Sequence, residues 1–151
     1  MKRSLFLITF LMLNLIMGNA MAFETSEIVT GSSDGIYLTS NYVLLSTATI
    51  ICEEGDNLLI LGKLFCSGIT DTTGLLEIDF LIFENDVLFI DQTLWRIIGV
   101  GSTLYTQPIV LNAFKSNITA GTKTYKLYGR KTSGSTTRTW QNKISILRVR
   151  R

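Results

Sequence analysis

Apolar and polar positions alternate with a period of two along much of this chain. In Thr124-Tyr125-Lys126-Leu127-Tyr128, Tyr125 and Leu127 fall on one side of a pleated strand and Lys126 and Tyr128 on the other. Near the C-terminus, Ile144, Ile146 and Val149 supply an apolar side against Lys143, Ser145 and Arg148, with an irregularity expected at Leu147 and a basic tail of Arg148, Arg150 and Arg151 expected to fray into water. Between these two strands lie small polar residues around Gly134, the chemistry of a hairpin connection. Further strands are expected at 37–39, 43–51, 57–66, 75–83, 87–93 and 109–114, separated by turn clusters such as Ser32-Ser33-Asp34-Gly35, Thr70-Asp71-Thr72-Thr73-Gly74 and Glu84-Asn85-Asp86. No segment carries a helical period. One strand per about 8 to 14 residues is the spacing of a β-sandwich or barrel.

Two runs break the alternation, Leu58-Leu59-Ile60-Leu61 and Phe80-Leu81-Ile82-Phe83. Continuous apolar strands are covered on both faces, and in a small sandwich the second cover is often another subunit.

The N-terminus has a different pattern. Lys2 and Arg3 precede an apolar run from Leu5 to Met17, and Ala20-Met21-Ala22 offers a small-x-small cleavage site. This reads as an export signal cut after Ala22, because the run is short of the roughly 20 apolar residues that span a bilayer. The product would be secreted, periplasmic or at the cell surface, with no membrane span in the mature form. Residues 1–22 are then the signal, 23–35 an N-terminal extension and 36–151 one compact domain.

Removing Lys2 and Arg3 leaves 12 bases against 12 acids, which counts against a nucleic-acid or polyanion role. The balance hides a polarity. Every acid lies between Glu24 and Asp91, where Lys63 is the single base, whereas 11 bases and no acid follow from Arg96 onward. The simplest reading is that a sandwich interleaves strands from its two halves, so that acids and bases meet across neighbouring strands. Alternatively, one subunit's basic side meets another's acidic side and sets an oligomer's orientation. A basic surface for an anionic glycan or lipopolysaccharide is a third reading.

The chemical inventory is thin. The chain has no histidine, which removes Ser-His-Asp and Cys-His nucleophile arrangements and imidazole metal sites. Glu77, Asp79, Glu84 and Asp86 are the densest carboxylates, but strand parity puts Glu77 and Asp79 on an outward face and the other two in a tight turn, so no catalytic pair, metal site or cofactor is expected from them. Cys52 and Cys66 end consecutive predicted strands. If those strands form a hairpin, the cysteines stand at opposite ends, beyond the roughly 7 Å Cα limit for a bridge at about 3.3 Å per residue, which favours two buried thiols. Asn117-Ile118-Thr119 matches a glycan acceptor that matters only on a eukaryotic secretory route. Trp95, Tyr105, Trp140 and Tyr128 are either core or a sugar-stacking surface. The candidate ligand surface combines Trp95 and Tyr105 with the basic Lys126, Arg130 and Arg138.

The succession Val43-Leu44-Leu45-Ser46-Thr47-Ala48, Leu58-Leu59-Ile60-Leu61-Gly62, Pro108-Ile109-Val110-Leu111, Ala120-Gly121-Thr122-Lys123-Thr124-Tyr125-Lys126-Leu127 and Lys143-Ile144-Ser145-Ile146-Leu147-Arg148-Val149 resembles the tumour necrosis factor-like and complement-type globular heads. The Ala-Gly-Thr-x-Thr-Tyr-x-Leu run is its most specific piece. The resemblance implies an all-β jelly-roll sandwich of about ten antiparallel strands that assembles as a tight trimer and binds receptors, glycans or other surface partners. It also implies a trimer axis made by an aromatic and aliphatic strip on one sheet, for which Phe80, Ile82, Tyr125, Leu127 and Tyr128 are the candidates, whichever of them face outward. No collagen-like or coiled stalk precedes the domain in this sequence, which favours a free-standing head over a fibre tip. The expected function is an exported, non-enzymatic binding or adhesion module, a homotrimer recognising a cell-surface glycan or protein. The alternative is a structural envelope or matrix protein whose only task is assembly.

Overall fold

A computed structural model describes residues 25–99 and 103–149; the expected export signal and the last two arginines lie outside them. Nine strands form two antiparallel sheets. Sheet A contains β1 (Thr25–Ser33), β9 (Thr137–Val149), β4 (Asp56–Ile69) and β7 (Leu104–Ile118) in that order, with the short β2 (Ile36–Tyr37) also paired to β9. Sheet B runs β3 (Val43–Cys52), β8 (Gly121–Ser133), β5 (Leu75–Glu84) and β6 (Val87–Ile98). From β2 onward the chain changes sheet at every connection except β5 to β6, the strand order of a jelly-roll sandwich.

Period-two patterning builds the core. Leu45, Ala48, Ile50 and Cys52 of β3, Leu76, Ile78, Phe80 and Ile82 of β5, and Tyr125 and Leu127 of β8 meet Leu58, Ile60, Leu64 and Cys66 of β4, Leu111 of β7, and Ile144 and Ile146 of β9. Each large aliphatic or aromatic side chain so buried contributes about 1.5–3 kcal/mol. Two local devices let the layers close. Asn85 and Asp86 take φ of 48° and 66°, the pair of positive values that a two-residue turn between β5 and β6 requires. Gly31 brings β1 so close to β3 that a side chain there would collide with the Thr47 carbonyl.

The structure corrects several sequence expectations. The last two strands do not form a hairpin: β8 pairs with β3 and β5, while β9 crosses to the other sheet and pairs with β1 and β4. Residues 25–33 are no extension, because β1 pairs along β9 from Thr25 to Ser33. Alternation in β9 continues through Leu147, so Arg148 points inward and is 8% exposed rather than frayed. The irregularity sits instead between Trp140 and Lys143, where Gln141 has φ 51° and β9 uses one residue more than β4. The all-β sandwich itself stands as expected, with nine strands among the described residues against about ten.

Candidate functional site

Four of the five candidate trimer-axis residues are unavailable to a partner. Phe80, Ile82, Tyr125 and Leu127 are fully buried between the sheets, because they lie on the inward parity of β5 and β8. Only Tyr128 faces outward, on sheet B, where its ring meets Phe83 edge-on at 5.2 Å. The five candidate ligand residues do not share a surface either. Trp95 is buried and donates from Nε1 to Gln107 Oε1 at 2.9 Å. Tyr105 packs against the core. Lys126 and Arg130 stand on the outer face of sheet B, and Arg138 stands on sheet A with its guanidinium 5.5 Å from the Tyr37 ring.

The carboxylates of β5 and of the turn after it each meet a cation. Arg96 pairs with Glu77 directly opposite on β5, and Arg130 of β8 meets Asp79 at 2.7 Å, also directly opposite, while lying over the Tyr42 ring at 4.5 Å. Lys126 reaches Asp86 at 2.5 Å and Lys115 reaches Glu84 at 2.5 Å. Hydrogen bonding to Asp86 raises the Lys126 ammonium above its ordinary range. Each pair joins an acid of the first half to a base of the second, so part of the polarity of the sequence is satisfied within one chain. In the densest carboxylate group, Glu77, Asp79, Glu84 and Asp86, each carboxylate has its own cation. A groove of about 380 Å³ is lined by Glu84, Asn85, Val87, Leu88, Phe89 and Lys115, so that pair forms part of its wall.

The remaining polar groups hold structure. Asp71 Oδ1 accepts from Thr73 N at 2.8 Å, Thr73 Oγ1 at 2.5 Å and Leu75 N at 3.0 Å, and Oδ2 accepts from Ser133 Oγ at 2.8 Å. These bonds, led by that of Thr73 Oγ1, hold its carboxyl down at about 2. Cys52 and Cys66 are buried free thiols. The geometric route to that expectation was mistaken, since β3 and β4 lie in different sheets. Burial pushes the Cys66 thiol up to about 12 and raises Cys52, the latter also through nearby Asp56.

The outer face of sheet A differs in kind. Backbone pairing sets its outward residues in rows across β7, β4 and β9: Phe114, Leu59 and Leu147; then Asn112, Leu61 and Ser145; then Val110, Lys63 and Lys143; then Pro108, Phe65 and Trp140; and last Thr106, Ser67 and Arg138, with Tyr37 of β2 beyond. No acid occurs in these rows. The first two carry no charge and expose Leu61 and Phe114, the latter by 65%. The other three carry three bases and a near-parallel pair of rings, Phe65 and Trp140, with centres 6.1 Å apart. Sequence reasoning singled out Arg138 and Trp140 but missed Lys63, Lys143 and Phe65. The available signal was Lys63 itself, the lone base in an acidic half, on the outward parity of its strand.

No protein-family model matches the sequence, and a search of curated proteins finds no match. Solved structures do match. The VP2 subviral particle of infectious bursal disease virus superposes with a TM-score of 0.50 at 14% identity over 83% of this chain and 33% of that one. The Eiger TNF of S. frugiperda gives 0.37 at 9% identity, over 80% of this chain and 90% of that one. The CBM36-1 domain of a multidomain xylanase from the hindgut metagenome of Trinervitermes trinervoides gives 0.36 at 14%, over 80% and 94%. The likeness is one of fold. This chain spans about a third of the capsid chains it matches, and scores of 0.37 and 0.36 add no argument of their own.

Proposed function

We propose that this chain is an exported, non-enzymatic binding or adhesion module that works as a homotrimeric head and recognises a glycan or protein on a cell surface. The observation that carries this reading is the outer face of sheet A, an uncharged apolar half continuous with a basic, aromatic half, set against a sheet B whose β5 carboxylates are paired. The apolar rows of Phe114, Leu59, Leu147 and Leu61 supply the subunit contact, since exposed contiguous apolar surface is what association removes from water. The trimeric number comes from the Ala-Gly-Thr-x-Thr-Tyr-x-Leu resemblance, and the exported state from the N-terminal pattern. An assembly-only role drew its support from the charge polarity of the chain, part of which four ion pairs meet internally.

Size-exclusion chromatography with light scattering tests the assembly. The protein is expected to elute as a trimer at micromolar concentration, and L61D/F114D as a folded monomer. A strictly monomeric wild type sinks the trimer. A glycan array tests recognition, and clear hits separate the module from an assembly-only protein.

A further inference from the structure

Lys63 and Lys143 sit directly opposite each other on β4 and β9, both exposed and facing the same solvent. Like charges placed so destabilise a sheet, and neither lysine has an ion pair among the described residues. The fold gains nothing from the arrangement, whereas a bound anion would relieve it. In the next row lie Phe65 and Trp140, and beyond them Arg138 over Tyr37. Asp34, which borders the patch, accepts the backbone N–H groups of Gly35 at 3.0 Å and Gln141 at 2.9 Å. A near-zero net charge therefore conceals a face with cations, rings and no acid in its rows.

We infer that this half of sheet A binds a chain of an acidic polysaccharide. One sugar carboxylate sits between the ammonium groups of Lys63 and Lys143, an uncharged ring face lies on Trp140 and Phe65, and a second carboxylate meets Arg138. The rows of Lys63 and Arg138 are four residues apart along β4, about 13 Å at 3.3 Å per residue. That interval is longer than one sugar ring, so the fitting chain carries its acids on alternating sugars. Three cations spread over this length suit such sparse charge. A nucleic-acid strand, with a phosphate at every nucleotide, calls for a denser basic surface and a strongly basic domain. The inference rests on the reading of the chain as a binding module and names the ligand class for it.

The test is calorimetry of the purified protein with hyaluronan oligosaccharides, neutral cello-oligosaccharides and oligo(dT), at 50 and 300 mM salt. Hyaluronan is expected to bind most tightly and to weaken with salt. K63Q/K143Q should lose about 10-fold in affinity while melting no lower than wild type, because it relieves a like-charge pair, and W140A should lose binding of the same ligand. If cello-oligosaccharides bind equally well and K63Q/K143Q changes nothing, the acidic ligand is wrong and the glycan-binding module survives. If oligo(dT) binds more tightly than hyaluronan, the surface is one for nucleic acid and the inference falls. If no saccharide binds, the inference falls and glycan recognition falls with it.

Discussion

Replacing Arg148 by methionine removes a cation from the interior at one end of the sandwich. Arg148 is 8% exposed and Asp56 4%; Nη1 lies 3.8 Å from Asp56 Oδ2 and donates to the Ile51 carbonyl at 2.5 Å. The arginine thus ties the end of β9 to the end of β3 and to the turn into β4, where Asp56 Oδ2 also accepts from Glu53 N at 2.8 Å. At an effective dielectric of about 20, charges at that separation attract by about 4 kcal/mol before desolvation is subtracted. Removing one partner leaves the other charge buried and uncompensated, so Arg148→Met is expected to cost about 3–5 kcal/mol, or roughly 10–15 °C in Tm for a chain of this size. Asp56→Asn keeps an acceptor for Glu53 N and removes the charge. The double variant should therefore be more stable than the sum of the single losses implies, by at least about 1.5 kcal/mol. Urea unfolding followed through Trp95 and Trp140 fluorescence measures all four corners of this cycle. Repeating it in high salt should change little, because a buried pair is weakly screened. A loss below about 1 kcal/mol for Arg148→Met, or strictly additive singles, would refute the reasoning.

Three further outcomes follow from buried and turn groups. The Asp71 carboxyl is held at about 2 against an ordinary 3.8, so its contribution to stability is complete above pH 3.8 and is lost as pH falls through 2; Asp71→Asn should flatten the acid limb of a urea-midpoint profile in that window, and an unchanged limb contradicts the assignment. Ser46 presents a buried Oγ without a hydrogen-bond partner, so Ser46→Ala should hold or raise the urea midpoint, by up to about 1 kcal/mol; a clear loss would show the hydroxyl to be satisfied. Cys66, raised to about 12 from 9.0, contributes stability present below pH 9 and lost as pH rises toward 12. Neither thiol should react with a disulfide reagent at pH 8 until the protein is unfolded, and a single fast-reacting thiol in the native state contradicts the burial.

The parity of most strands was legible from residue type alone. Tyr125 and Leu127 face in and Lys126 and Tyr128 face out, as alternation requires, and the turn at Asn85 and Asp86 stands where its residues placed it. Neighbour relations were not legible. Gly134 and its polar flanks look the same whether they close a hairpin or carry β8 across to the other sheet, because both need an exposed, flexible connection. Arg148 read as a frayed end because its carboxylate partner belongs to a turn far upstream. The trimer-axis candidates were divided for a related reason: apolar strips suit a core and a subunit contact equally well, and the fold put four of them inside and left Tyr128 outside.

What the sequence determined by itself was the two-residue period, the positions of the turns, the side of most strands that seeks the core, and the absence of histidine chemistry. These follow from side-chain polarity and local backbone preference, which neighbouring residues carry with them. Tertiary structure decided which strands lie side by side and in what register. Every residue except proline offers the same N–H and C=O to the ladder, so pairing is chosen by how whole faces pack. That choice set acid against base on sheet B and brought Lys63 opposite Lys143, beside Phe65 and Trp140, on sheet A.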